Sequence, residues 1–410
     1  MTIESPRPER LETKDAASGW DVYRVAQADD PHAEWRAIRS HSPVLAAGGD
    51  VYFVSRWQLV DEILRDSRHG AGTGVAASFG DEGGAQGLAF DVMRVWLMSL
   101  DGDEQTRARG LVRREFTPRQ IEGLRPLITR TTDRLVTAIE ARATQEPVDL
   151  VEGLAFALPS EITRTLFGLG EREWQDEVVR VIAGVDDSPG ASLAMIDGLA
   201  RTFEARLARD DVPDGLLAKL RVPDPLLGAL TPLEVVANAV LLVTAAIDTT
   251  AGLIGNLAHC VLDRPSLRER LRADPACAKA LVEETLRFEP PALSCSRRAG
   301  VDLELEGQRI PAGSHLLLGL AAANRDPERY PEPDDFLLER DFQGLLSFGG
   351  GRHFCLGAAL ARLEAQIVAE RLFVASDLDF ERVEPPTWQR GNPTVRALER
   401  LPVRATPRAR

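Results

Sequence analysis

The chain has 410 residues, 44% of them hydrophobic and 27% charged, which describes a folded protein with a sizeable core and excludes a disordered, collagen-like or disulfide-stapled one. Its net charge of −14 excludes nucleic acid as the main partner, because phosphate backbones are bound by basic surfaces. Four cysteines, Cys260, Cys277, Cys295 and Cys355, are too few for a disulfide framework at this length, and a reducing cytoplasm is the default expectation.

Residues 1–18 are polar and charged, lack the apolar core of a secretory signal, and are expected to be loose. Val51 to Ser55 reads as a strand of β-branched and aromatic residues. Arg56 to Asp66 reads as a helix with Trp57, Val60, Ile63 and Leu64 on one face. Gly70 to Gly87 is rich in Gly, Ala and Ser and is expected to be a linker or a lid over a site. Helical patterns follow over Asp103 to Phe116, Pro118 to Ala143, Val151 to Phe167, Glu171 to Ala183 and Ala191 to Ala208.

Thr231 to Asp263 is the longest pattern, roughly 50 Å as a helix, with Thr231 as a capping residue and Pro232 in the first turn, where proline is tolerated. Its apolar stretch, Leu233 to Leu262, carries Asp248 in its middle. A carboxylate at the centre of a bilayer costs about 2.5–3.5 kcal/mol, so a buried core helix is expected and no membrane span. Helices at Ser266 to Ala273 and Pro275 to Phe288, strands at Val301 to Leu305 and His315 to Gly319, and a helix at Gly357 to Phe373 come next. Leu378 to Val383 and Leu401 to Arg404 read as a closing strand pair. With no internal repeat and no strand–helix alternation, the expectation is a mainly α fold with minor β, as one interlocked domain over 19–410.

The run Phe348-Gly349-Gly350-Gly351-Arg352-His353-Phe354-Cys355-Leu356-Gly357 carries the strongest chemical signal. Three glycines let the backbone turn tightly and approach a flat group. A thiolate at the start of the helix that follows is favoured by the exposed amides there. A lone cysteine in a glycine loop is more often structural, but here Phe348, Gly351, His353, Cys355 and Gly357 together resemble the haem-binding loop of the cytochrome P450 monooxygenases. The resemblance extends in order over roughly residues 50 to 404.

Glu284-Thr285-Leu286-Arg287 resembles the family's Glu-x-x-Arg, a buried structural pair behind the haem. Asp335 stands where many relatives have Arg or His, so no third partner is assigned. Ala245-Ala246-Ile247-Asp248-Thr249-Thr250 resembles the family's acid–alcohol segment. The resemblance implies catalytic roles for Asp248 and Thr249 in delivering protons to bound dioxygen, with Ala245 against the haem and the Ala246 methyl narrowing the dioxygen groove. Asp101 to Arg109 resembles a helix start in which Gln105 takes a histidine position, and Gly102 and Asp103 replace two prolines.

The implied fold is that of the cytochromes P450, with a long central helix crossing the haem and small sheets at the periphery. The implied cofactor is haem b with Cys355 as axial ligand, cradled by Phe348, Gly349 and Gly357, with Gln105, Arg109, Arg297 and His353 on its propionates. The implied electron supply is a ferredoxin with a ferredoxin reductase, steered by Arg107, Arg109, Arg113, Arg114, Arg119, Arg352 and Arg362. Trp96, Val240, Val243, Leu293, Asn392 and Pro393 are expected to line a substrate pocket, which favours a mid-sized, largely apolar ligand. A bacterial natural-product intermediate, free or carrier-protein-bound, fits, and a monomer is expected. Two other readings stay open: a peroxide-driven enzyme, against which Asp248-Thr249 argues, and a haem-binding scaffold without turnover.

Overall fold

The computed structural model describes residues 20–71, 86–179, 181, 191–209, 212 and 214–408. The expected loose N-terminus, most of the Gly70–Gly87 segment and the end of the Glu171–Ala183 helix lie outside the described residues.

The principal helices are α1 (Val22–Ala26), α2 (Pro31–His41), α3 (Trp57–Arg65), α4 (Leu88–Arg94), α5 (Gly102–Arg113), α6 (Arg125–Ala143), α7 (Ala157–Phe167), α8 (Ala191–Leu207), α9 (Pro232–Asp263), α10 (Pro265–Ala273), α11 (Ala278–Phe288) and α12 (Ala358–Ala369). The pattern expected as one helix over Pro118–Ala143 divides at Leu124. Pro126 has no N–H to continue a helical ladder, so it sits in the first turn of α6 instead. Val151–Phe156 forms a wider π turn ahead of α7.

The strands are β1 (Val44–Ala46), β2 (Val51–Val54), β3 (Val148–Asp149), β4 (Cys295–Arg298), β5 (Leu303–Leu305), β6 (Gln308–Ile310), β7 (His315–Leu318), β8 (Leu378–Arg382), β9 (Thr387–Trp388), β10 (Leu398–Arg400) and β11 (Pro402–Pro407). The largest sheet runs β1-β2-β7-β4, with β2 and β7 parallel. The closing pair is present, as β11 antiparallel to β8. β11 also pairs with β3, so two strands roughly 250 residues apart in the chain share a ladder.

The axis of the molecule is α9. Thr231 and Glu234 cap it reciprocally, with Glu234 N–H donating to Thr231 Oγ1 at 3.2 Å and Thr231 N–H to Glu234 Oε2 at 2.7 Å. It is long and apolar enough to cross a membrane, yet most of its apolar window is buried inside the protein. Its two halves belong to different cores. Val235 to Ile247 pack with α4, α5 and α8, whereas Leu253 to Val261 pack with α6, α7, α11 and α12. Asp248 lies at the seam between them, where neither core fills the space beside the helix.

Candidate functional site

The cysteine loop is built by its glycines. Gly349 (φ +67°) and Gly351 (φ +63°) adopt left-handed backbone. Any side chain at Gly351 would run into the Leu64 carbonyl oxygen. These turns let the Gly349 N–H donate to Leu346 O at 2.8 Å and the Cys355 N–H donate to Phe348 O at 2.9 Å. Arg362 lies over the Phe348 ring, 4.4 Å from its centre. The loop thereby delivers Cys355 to the N-terminus of α12.

Cys355 has open surface although protein surrounds it on nearly every side, which places its sulfur on the wall of an internal cleft. Burial pushes its thiol pKa up, while the Gly357 amide, Arg109, Arg362 and the Ala358 amide pull the other way without cancelling it. The sulfur is thus ready to carry negative charge once a metal displaces its proton. Beside Gly357, a Cβ would meet nothing within 4 Å.

Leu241, Thr244, Ala245 and Asp248 form the stripe of α9 that keeps open surface. Asp248 combines that surface with dense surroundings, and its pKa is raised by desolvation. Like Cys355, it faces the inside of the molecule. Thr249 Oγ1 donates to Ala245 O at 2.7 Å, so in this structure its proton is held by the helix backbone.

Four polar side chains expected around the cleft converge on the cysteine loop. Gln105 donates to Arg352 O at 3.0 Å, which commits one of its two amide hydrogens to the loop backbone. Arg109 donates to Phe354 O at 2.5 Å and lies close enough to Cys355 to feel its charge. His353 is held by Asp101 at 3.1 Å. Burial lowers its pKa, Asp101 opposes this and the nearby Arg297 reinforces it. The two adjacent arginines are sorted by strand alternation, since β4 buries Arg297 and exposes Arg298. The buried Trp96 Nε1 has no partner among the described residues.

This donor set suits a large anionic metal complex rather than a bare ion. Among the described residues no group of three His, Cys, Asp or Glu gathers to hold a metal. A metal carried in its own ring needs a single protein ligand and cations for its carboxylates, which Cys355, Arg109 and Arg297 supply.

The cytochrome P450 family model matches residues 195–399. The chain is 35% identical over 405 residues to the vitamin D(3) 25-hydroxylase of Pseudonocardia autotrophica, covering 95% of this chain and 97% of that one. It is also 35% identical to the cytochrome P450 monooxygenase PikC of Streptomyces venezuelae, over 92% of this chain and 91% of that one. The chain belongs to the cytochrome P450 family. Among solved structures it resembles P450BioI in complex with an acyl carrier protein bearing hexadec-9Z-enoic acid. The TM-score is 0.81 at 26% identity, covering 94% of this chain and 100% of that one. The P450 fold, mainly α with small sheets, is therefore the observed one, and the family's cofactor is haem with a cysteine thiolate as axial ligand.

Behind the P450 loop lies the Glu284–Arg287 pair, both side chains 0% exposed, with Arg287 Nε and Nη2 donating to the two carboxylate oxygens at 2.7 and 2.8 Å. The third partner, left open by the sequence, is Arg340, whose Nε reaches Glu284 Oε1 at 3.2 Å. It stands five residues beyond Asp335, after the turn at Pro333–Phe336. The Leu337 N–H adds a further contact to the same oxygen at 2.8 Å.

The expected pocket lining needs correction. Val240 and Val243 are 0% exposed and Leu293 is 2% exposed; all three are packed into hydrophobic cores and present no wall to the cleft. The open stripe of α9 is one helical position round from the expected one. Trp96 is likewise buried. Pro393 keeps partial exposure, and Asn392 Oδ1 accepts from the Thr394 N–H and hydroxyl at 3.1 and 2.8 Å, so it closes its own loop rather than offering a free acceptor.

Proposed function

We propose that Cys355 is the axial haem ligand of a monooxygenase that oxidises a mid-sized, largely apolar small molecule in bacterial secondary metabolism. The single observation carrying the assignment is the Cys355 sulfur itself, on the wall of the cleft and bonded by the Gly357 and Ala358 amides. Bound haem supplies the reduction of dioxygen and the transfer of one oxygen atom to a C–H bond.

The protein's own residues do the rest. The Gly357 and Ala358 amides spread the charge of the thiolate and hold its basicity in check. Arg109 and Arg297 pair with the carboxylates of the cofactor, while Gln105 and His353 fix the loop that carries the ligand. Asp248 holds a proton more firmly than an ordinary carboxyl, which suits a group that passes protons into a closed cleft. Thr249 receives and relays, its hydroxyl rotating away from Ala245 O as it donates.

The substrate reading is supported by Leu241 and Ala245 in the stripe beside Asp248, and by relatives whose names describe hydroxylation of a sterol-derived vitamin and monooxygenation. The likeness to a P450 holding an acyl carrier protein supports carrier-bound presentation as the second reading.

Electrons are assigned to a ferredoxin. The basic patch available to it is smaller than the sequence suggests. Arg107 is spent on Glu234 and Ala229 O, Arg114 on the Lys219 and Val222 carbonyls, and Arg362 on Glu283. Arg113 and Arg119 remain as exposed cations.

The test is the absorption spectrum of the purified protein reduced with dithionite under carbon monoxide. A strongly red-shifted Soret band that disappears in Cys355→Ala is expected. A band at the position typical of neutral histidine ligation, or no haem, overturns the assignment.

A further inference from the structure

Two segments that flank the cleft by family likeness, Pro291–Cys295 and Asn392–Val395, are not independent in this structure. They form one antiparallel seam. Arg396 N–H donates to Pro291 O at 2.7 Å, Leu293 N–H to Thr394 O at 2.9 Å, and Ala292 bridges Val395. The seam is fastened to α9 on the face that continues from Asp248. Gly252, one turn further on, approaches so closely that a Cβ would lie 2.9 Å from Pro291 Cβ and 3.2 Å from Ala397 Cβ. Asn256, a second turn on, is 0% exposed. Its Nδ2 donates at once to Glu289 O at 3.0 Å and to Arg396 O at 3.1 Å, the carbonyls at one end of each segment. Its Oδ1 has no partner among the described residues, so the side chain is held there by those two donations.

On the far side, Glu289 locks the same two points together. Its carboxylate receives Arg396 Nε and lies 3.3 Å from His32 Nε2. Arg396 continues to the Ala28 and Asp29 carbonyls and stacks 3.6 Å from the centre of Trp388. These groups border a cavity of about 270 Å³. Every charged group lining it is already paired within the protein: Asp29 with Arg390, Asp30 with the His32 N–H, Asp263 with Arg382 and His259, Arg264 with Cys260 O, and Arg325 with Asp334. It therefore offers no unpaired charge to a ligand, and the network is structural in purpose.

We infer that Asn256, together with Gly252, is a positioning residue that sets how far the seam of Pro291–Cys295 and Asn392–Val395 stands from the Asp248–Thr249 turn, and so fixes the width of the substrate cleft above the haem. Residues 248, 252 and 256 lie on one helical face at i+4 spacing. The acid is at the cleft, the glycine is the contact point, and the asparagine is the clamp. The inference rests on Cys355 as haem ligand. Removing the clamp leaves the iron side intact and moves a wall, and a displacement of about 1 Å costs up to ~10²-fold in a fitted site.

Two azole probes separate the wall from the iron in spectral titrations of the haem-loaded protein. Imidazole reads access to the iron alone, whereas 1-dodecylimidazole also needs the walls. In Asn256→Leu the affinity for 1-dodecylimidazole should change by about tenfold or more, while imidazole stays within about twofold. Gly252→Ala pushes the same seam from the helix side and should show the same split, which decides the matter if Asn256→Leu fails to load haem. Equal changes for both probes, or none for either, overturn the inference. A wild-type protein without the red-shifted carbon monoxide band overturns the haem-ligand reading instead, before any variant is compared.

Discussion

Replacing Glu284 by Gln is the most demanding test of the packing behind the haem loop. The substitution keeps the size of the side chain and an oxygen for the Leu337 N–H, but removes a charge that two guanidinium groups share. Arg287 is 0% exposed and Arg340 is 7% exposed, so neither can turn to water. Both keep carbonyl acceptors, Arg287 from Asn324, Pro333 and Asp335, and Arg340 from Pro331, Glu332 and Asp335. The loss is therefore mainly uncompensated charge rather than missing hydrogen bonds, and breaking a buried pair from one side costs about 3–5 kcal/mol. With an unfolding entropy of about 2.1 cal/mol/K per residue, the chain gains roughly 0.9 kcal/mol/K on melting, so Tm should fall by about 3–6 °C. Calorimetry of haem-loaded protein reads this. Arg287→Met should cost more than Arg340→Met, because only Arg287 makes the two-pronged contact. A fall under about 1 °C for Glu284→Gln, or the reverse order of the arginine variants, would refute the reasoning.

Glu364 on α12 is buried with Oε2 unpartnered, and burial raises its pKa from 4.5 to about 8. The folded state then holds a proton that the unfolded chain releases, so its contribution is intact below pH 4.5 and is lost as pH rises toward 8. Glu364→Gln should match the wild type near pH 4.5 and exceed it above pH 8, by up to about 5 kcal/mol, in urea melts across pH; parallel curves would contradict this. Gly351→Ala forces a side chain onto the Leu64 carbonyl from left-handed backbone and should cost at least ~2 kcal/mol, read as lowered haem content per chain at unchanged expression. Asp248→Asn should leave the carbon monoxide spectrum unchanged while product formation falls by about 10²-fold on any substrate that is turned over. Unchanged turnover would remove Asp248 from the proton path.

The parts legible in the sequence are those whose signal is local. The caps of α9, the glycine turns before Cys355 and the Glu284–Arg287 spacing are each fixed within a few residues by backbone and side-chain chemistry, and the structure places them as read. β4 was missed because Cys-Ser-Arg-Arg has no apolar alternation; its inward residue is Arg297, a buried cation whose surroundings come from distant chain. Arg340 was missed for a related reason, since its link to Glu284 depends on how the chain folds back over the 53 residues that separate Glu284 from Leu337.

The pocket lining failed differently, and the reason is geometric. Along Val235–Ile247 nearly every face of α9 is apolar, so composition cannot tell the stripe that packs from the stripe that faces the cleft. Val240 and Val243 were chosen for their chemistry and proved to be core. Asp248 could have set the phase, because a carboxylate tolerates burial only where space or partners remain beside it. Stepping back from it by one and two turns gives Thr244, Ala245 and Leu241, the residues that keep open surface. Stepping forward gives Gly252 and Asn256, where that face leaves the cleft and meets the seam. One helical face thus carries the apolar wall, the acid and the clamp in succession. Substrate fit and proton delivery are then coupled through a rigid rod, so changes at Gly252 or Asn256 should act on cleft width without touching the thiolate on the opposite side.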